Sequence, residues 1–344
     1  MLGAGGERMK ICVYGPGAIG GHLAARLAQG AAVSGAEVSL VARGATLAAI
    51  RDRGLIVRVA DGDIRCRPRA AERAEELGPQ DAVVVTTKVP ALPGVAAGIG
   101  PLLREDTTVA FVVNGIPWWY FDRDPSPSGG PRDGRRVPEA DPGDAVRRAV
   151  GVARTLGGVI YSASNVAEPG VIEVSSRTSK LILGEPDGTR SDRAVALAAA
   201  FKAGGLPCSV SPDIRTEMWG KLLNNLSNGP VCLLTRRHMQ ATFADPVVRE
   251  AALRAVHEGL AIAAAHGRPV PGDPADRINL SAGLAHKPSI LQDLEAGRPM
   301  EIDSLFAAPL RLAREAGVPT PMLSLLVALA MQAAEGAGLY PAGG

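Results

Sequence analysis

Aromatic side chains make up only 3% of this 344-residue chain, no two cysteines stand in a CxxC spacing, and neither sign of charge prevails. With three Trp, four Tyr and five Phe, the core must be filled by Ala, Val, Leu and Ile. The four cysteines, Cys12, Cys66, Cys208 and Cys232, are spread too widely for a zinc ribbon or a disulfide framework and fit a reducing compartment. Thirty-seven basic against 35 acidic residues leave a net charge of +2, without the basic excess that nucleic-acid binding calls for. No apolar run reaches the roughly 18 residues of a membrane span; the longest, Met322 to Met331, is interrupted by Ser324. The opening MLGAGGER has no apolar stretch of the secretory kind, and Met9 is an alternative start. A chain that is 46% hydrophobic and 21% charged reads as a cytoplasmic globular protein, with length for about two domains.

Ile11-Cys-Val-Tyr-Gly15 is a short apolar run that stops at glycine, as a buried parallel strand does. An amphipathic stretch from Ala18 to Ala28 and a second strand over Glu37–Val41 complete a βαβ unit. Residues 55–59 and 64–67 are expected to pair as a hairpin, with further strands at 81–86, 107–113, 158–162, 170–175 and 179–183. Helices are expected at 91–103 and 191–204. Between Asp122 and Ala145, five prolines, four glycines and many charges leave nothing to bury, which predicts a surface loop or a disordered insertion. From Asp213 the pattern is helical almost to the end, with breaks around Pro269–Pro274 and Val318–Pro321. The fold class is therefore α/β: a Rossmann-type dinucleotide-binding domain over residues 9–212, with the 122–145 insertion, then an all-helical domain over 213–340.

Gly15-Pro16-Gly17-Ala18-Ile19-Gly20 follows the first strand and opens the first helix. The first glycine allows a tight turn, the second lets the backbone approach a pyrophosphate, and the third lets helix and strand pack closely. Amide groups at the helix start then face the anion. Where NAD-binding chains carry Asp or Glu at the end of the second strand, this one reads Val41-Ala42-Arg43, which favours the 2′-phosphate of NADP. Thr87-Lys88 and Asn114-Gly115 close the next two strands, where ligands of open α/β sheets bind; an edge lysine and a simple turn are the blander readings.

In the helical half, Lys221, Asn225 and Asn228 fall at i, i+4 and i+7, on one helix face. A lysine and two amides are costly to bury without partners, so they should line a wet cleft. A partly desolvated Lys221 would have a lowered pKa and could donate a proton to a carbonyl oxygen. Downstream, Ser289 and Asp293 sit four residues apart on a short helix, Gly297 ends it, and Glu301 opens the next. Asp293 and Glu301 also have ordinary readings, as an ion pair and a helix-start charge.

Together these stretches resemble the 2-dehydropantoate 2-reductase, or ketopantoate reductase, family from Lys10 to about Glu335. The resemblance rests on GPGAIG, Arg43, Lys88, Asn114-Gly115, Trp219-x-Lys221-Leu-x-x-Asn225, and Ser289-x-Leu-Gln-Asp293 through Glu301-Ile-Asp303. It implies an enzyme that reduces 2-dehydropantoate to (R)-pantoate with NADPH, in pantothenate and coenzyme A synthesis, with the active site in a cleft between the two domains. It assigns Lys221 as general acid and Glu301 as the essential carboxylate, in reach of substrate and cofactor. Asn225 and Ser289 would hold the substrate's hydroxyl and carboxylate, Asn114 would lie near both cofactor and substrate, and Lys88 would touch the cofactor. Many members carry a second asparagine eight positions after the lysine; here that position is Gly229, and Asn228 stands one residue early. Ala91 stands where many members have glutamine. The stretch Asn114–Phe121 plus the insertion is longer than the common pattern, and Trp118-Trp119 would cap the site, reshape its substrate preference, or simply anchor the loop. The expected partner is a small 2-keto acid, not nucleic acid or membrane, for a monomer or a homodimer formed through the helical domain. The rivals are reduction of another 2-keto acid, a 3-hydroxyacid dehydrogenase, which leaves Ser289-to-Glu301 unexplained, and a non-catalytic NADP-binding sensor.

Overall fold

The structure, a computed structural model, describes residues 8–125 and 134–341. It falls into two units. Unit 1 holds the described residues of 1–113, 121–124 and 141–214, and unit 2 those of 114–120, 125–140 and 215–344.

Unit 1 carries twelve strands: β1 (Lys10–Tyr14), β2 (Glu37–Val41), β3 (Leu55–Val59), β4 (Gly62–Cys66), β5 (Arg69–Ala71), β6 (Ala82–Val85), β7 (Thr108–Phe111), β8 (Thr155–Tyr161), β9 (Ser164–Glu168), β10 (Val171–Val174), β11 (Lys180–Gly184) and β12 (Cys208–Val210). Eight form one sheet in the order β12-β11-β8-β7-β6-β1-β2-β5, parallel except for β8 against β11. β6 and β7 are buried on both faces, which is why they read as unbroken apolar runs rather than alternating ones. The other four form a smaller sheet, β4-β3-β10-β9, in which the expected hairpin pairs Val57 with Ile64.

The helices of unit 1 are α1 (Ala18–Gln29), the one-turn α2 (Ala31–Ser34), α3 (Gly44–Arg53), α4 (Leu92–Gly98), α5 (Ala145–Val150) and α6 (Asp192–Ala203). α1 packs on β1 and β2 and also on all four strands of the smaller sheet. It is therefore buried nearly all round, with Leu23, Ala24, Ala25 and Leu27 at 0% exposure. Leu23 and Leu27 each contribute about 1.5–3 kcal/mol of transfer free energy.

Two expectations are corrected here. The single helix over 91–103 is instead a 3₁₀ turn (Val89–Ala91), α4, and a second 3₁₀ turn (Gly100–Leu102). Pro101 lacks the N–H that a helix running through 91–103 would bond to Ala97 O, while Pro90 and Pro93 stand at the starts of the two preceding pieces, where no N–H is needed. The insertion is also not devoid of burial. Its centre, 126–133, lies outside the described residues, as do residues 1–7. On its flanks, however, Val137 and Ala140 are buried. In unit 1 Arg147 grips Asp122 through two hydrogen bonds of 2.8 and 2.6 Å, and Asp141 caps α5 by accepting from Val146 N and Arg147 N, each at 2.9 Å. In unit 2 Arg311 does the same for Glu139 at 2.6 and 3.0 Å. The charges that suggested solvation find partners distant in sequence.

Unit 2 is helical: α7 (Ile214–Thr235), whose first residue belongs to unit 1, the one-turn α8 (Met239–Thr242), α9 (Pro246–Ala265), α10 (Pro274–Ala282), α11 (Ser289–Glu295), α12 (Ala308–Glu315) and α13 (Pro321–Gly336). A π-helical turn, Asp303–Ala307, leads into α12. Helix starts follow the local chemistry. Asp245 and Asp273 cap α9 and α10, each with a proline next, and the Glu258 carboxylate of α9 caps α13 by accepting from Met322 N and Leu323 N at 2.9 and 2.7 Å. Among the described residues, no helix is long and apolar enough to cross a membrane.

Candidate active site

β1 lies where the strand order reverses, with β2 on one side and β6 on the other, the place where open α/β sheets bind ligands. The turn Gly15–Gly20 leaves β1 there. Gly15 N donates to Val41 O at 3.1 Å, and Thr86 Oγ1 donates to Gly15 O at 2.8 Å, so the ends of both neighbouring strands pin the turn. Gly15 has φ +88°, and a Cβ on it would stand 2.5 Å from Thr87 Cγ2. A Cβ on Gly20 would meet Gly15 O at 2.3 Å, so this glycine is what seats the helix on the turn. Nothing lies within 4 Å of a Cβ on Gly17, which leaves the backbone open to a ligand on that side.

The residues fit a bound phosphate. Pro16, Ala18 and Ile19 complete a loop whose helix start has no side-chain cap and no acidic residue in its first turn. Thr87 Oγ1 is buried beside it with no hydrogen-bond partner. Arg43 is exposed at the end of β2, just before α3. Its guanidinium lies by the Tyr14 hydroxyl, whose pKa is raised by burial while Arg43 works against the rise. Lys88, half-buried, follows Thr87 and starts the 3₁₀ turn after β6. The pinning role of Thr86 was missed from sequence, although a pair of threonines at a strand end was its visible signal.

Unit 2 carries a second polar group. Lys221 Nζ donates to Asn114 Oδ1 at 2.8 Å, and Asn114 Nδ2 donates to Glu301 Oε2 at 3.1 Å. Burial pushes the Lys221 pKa down to about 8, and the Glu301 carboxylate works in the opposite direction. Glu301 itself is only 4% exposed. An ammonium with a lowered pKa, held by an amide whose far side holds a carboxylate, is suited to giving up a proton near neutral pH.

How Asn114 reaches this position follows from the chain around it. In the π turn Ala308 N donates to Asp303 O, five residues back, and Pro309 has no N–H for Ser304. Ser304 O is thus left for Ile116 N, which donates to it at 3.0 Å. Gly115, at φ +80°, permits that approach: a Cβ there would lie 2.3 Å from Ser304 O. Farther along, Arg215 Nε donates to Tyr120 O at 2.6 Å, and Trp219 Nε1 donates to Tyr120 Oη at 2.7 Å. Arg215 also lies over the Trp119 ring, 5.4 Å from its centroid. Trp118 and Trp119 are buried, so this segment is anchored within the protein rather than spread as an exposed cap.

The remaining expected residues are placed as follows. Asn225 lies one turn beyond Lys221 on α7, half-buried, and Ser289 is the exposed first residue of α11. Asn228 is buried and its Nδ2 donates to Ser281 Oγ at 3.0 Å, which ties α7 to α10. At Gly229, a Cβ would come within 3.1 Å of the Phe306 ring, so an aromatic side fills the space an asparagine would need. Asp293 is buried and paired with Arg298 at 3.2 Å, the ordinary reading of that residue. Among the described residues, no cluster of His, Cys, Asp and Glu could hold a metal ion.

Comparison with known proteins agrees with this reading of the fold. Residues 11–117 match the family described as Ketopantoate reductase PanE/ApbA, and residues 213–334 match its C-terminal counterpart, Ketopantoate reductase PanE/ApbA C terminal. The chain is 42% identical over 335 residues to the 2-dehydropantoate 2-reductase of Mesorhizobium japonicum, covering 96% of this chain and 100% of the relative. Among solved structures, a candidate ketopantoate reductase from Ralstonia solanacearum MolK2 is 37% identical, with a TM-score of 0.88, over 97% of this chain and 100% of that one. The 2-dehydropantoate 2-reductase of Geobacter metallireducens is 28% identical, with a TM-score of 0.80, over 94% and 100%. With both halves matched in order and the likeness running along the whole chain, the protein belongs to the ketopantoate reductase family of oxidoreductases.

Proposed function

We propose that the protein reduces 2-dehydropantoate to (R)-pantoate with NADPH, in the cytoplasm, as part of pantothenate and coenzyme A synthesis. The observation that carries the reading is the Lys221–Asn114–Glu301 array, with bonds of 2.8 and 3.1 Å and a lysine pKa near 8. The likeness to the Mesorhizobium japonicum reductase supports the substrate. Residues 9–212 form the nucleotide-binding domain, and residues 213–340 the substrate domain, which also supplies any homodimer contact.

The turn Gly15, Pro16, Gly17, Ala18, Ile19 and Gly20 would hold the pyrophosphate: the first three residues give it shape, since Gly15 N and Gly17 N already donate to Val41 O and Gly15 O, and the helix-start amides of Ala18, Ile19 and Gly20 would donate to the anion. Arg43 would pair with the 2′-phosphate, and Lys88, Asn114 and Glu301 would serve the nicotinamide end. NADPH, when bound, supplies the hydride. Everything else falls to this chain. Lys221 holds a proton on Nζ and gives it to the keto oxygen as negative charge develops there, an effect worth about 10²–10⁴ in rate. Asn225, Ser289 and Glu301 orient the substrate's hydroxyl and carboxylate. Asn228, bonded to Ser281, contributes by fixing α7.

The test is NADPH oxidation followed by absorbance with 2-dehydropantoate, and NADH as the paired control. Rapid turnover with NADPH and little with NADH is the expected result. Cofactor binding without turnover of this or any related keto acid contradicts the reading.

A further inference from the structure

The carboxyl-terminal tail of unit 2 ends on the turn that follows Glu301. α13 stops at Gly336, after which Leu339 N donates to Ala334 O at 3.0 Å and Gly338 N to Glu335 O at 2.8 Å. With Gly338 at φ +69°, this is the Schellman closure, which turns the chain sharply out of the helix direction. Tyr340 follows, and its hydroxyl donates to Asp303 Oδ1 at 2.5 Å. Asp303 is the first residue of the π turn and lies two residues after Glu301.

A π turn is wider than an α-helix, and its carbonyls are less regularly engaged by their own chain. Contacts from outside therefore help decide where it sits. Leu305 and Phe306 are buried, Ile116 N donates to Ser304 O, and the Tyr340 hydroxyl donates to the Asp303 carboxylate at the start of the turn. We infer that Tyr340 is a positioning residue: by holding Asp303, it sets where the Glu301 carboxylate stands relative to Asn114 and Lys221. The tail thereby becomes part of the apparatus that places the acid, although it touches neither Lys221 nor Asn114. The inference rests on reading Lys221 and Glu301 as the working pair, and it deepens that reading.

The test is titration of Lys221 in the free protein, by NMR of the chain labelled with ¹³C at the lysine ε-carbon. Six lysines give few signals, and Lys221→Arg assigns the one of interest. The Glu301 charge raises the Lys221 pKa, so a displaced carboxylate lets it fall. Tyr340→Phe keeps the ring and deletes the hydroxyl; the expected result is a Lys221 midpoint lower by about half a pH unit or more. A chain ended at Leu339 should show the same fall, and it serves if the phenylalanine variant does not fold. A midpoint unchanged from that of the wild type overturns the proposal. Since the titration needs no substrate, absence of keto-acid turnover and absence of this shift are separate failures.

Discussion

Asn114 uses both edges of its side-chain amide, accepting from Lys221 at 2.8 Å and donating to Glu301 at 3.1 Å. The partners dictate its orientation, because a flipped amide would set N–H against an ammonium and oxygen against a carboxylate. Lys221 thus carries its proton within reach of solution pH, with burial lowering its pKa to about 8. If the protonated form is the acid, as proposed, kcat/KM for the keto acid should be level below that value and fall about tenfold per pH unit above it. In Lys221→Arg, whose guanidinium keeps its proton, the residual rate should lack this limb. A pH profile of kcat/KM, measured at low keto acid and saturating cofactor, checks both.

Gly115 is the residue that lets the Asn114 segment meet the π turn. An alanine there combines φ +80° with a methyl 2.3 Å from Ser304 O. Gly115→Ala should cost about 1–3 kcal/mol of stability and reduce turnover as well. Urea unfolding gives the first quantity, and steady-state rates on the folded fraction give the second.

Much of unit 1 was legible because β1, β6 and β7 are buried runs bounded by polar turns. β9 was not: Ser164-Asn-Val-Ala-Glu168 is largely exposed or half-buried and shows no apolar alternation. β5 and β12, three residues each, are too short to carry a pattern. In the candidate site, helical spacing singled out Lys221, and strand-end position singled out Asn114. That Asn114 lies between Lys221 and Glu301 depends on the carbonyl that Pro309 and the π turn leave to Ile116, which no periodicity reports. The same spacing put Asn228 on the face of Lys221, whereas its amide is spent on Ser281, 53 residues away in sequence.

The role proposed for Arg43 in cofactor choice is open to a direct test. It is exposed at the end of β2, where no carboxylate stands. Arg43→Ala should raise KM for NADPH about tenfold while leaving KM for NADH nearly unchanged. Steady-state kinetics with the two cofactors measure this directly, and an equal rise for both would remove Arg43 from the 2′-phosphate.

His22 gives unit 1 a pH-dependent stability of its own. It is 1% exposed on α1, its Nδ1 is 3.2 Å from Ser162 Oγ, and burial, helped by Arg26, lowers its pKa from 6.5 to about 4. The native state holds the ring neutral, whereas the unfolded chain protonates it near pH 6.5. Stability is therefore complete above about 6.5 and falls as pH drops toward 4, by about 3 kcal/mol at most. In His22→Gln, urea unfolding from pH 7 to 4 should lose that part of the slope.

Whether Lys221 supplies the proton during reduction is decided by the variant Lys221→Ala. The measurement is kcat with NADPH and 2-dehydropantoate set beside the dissociation constant for NADPH from fluorescence titration. With Lys221 as the acid, kcat should fall about 10²–10⁴-fold while NADPH affinity changes little. A parallel loss of both, or a kcat close to that of the wild type, would contradict that role.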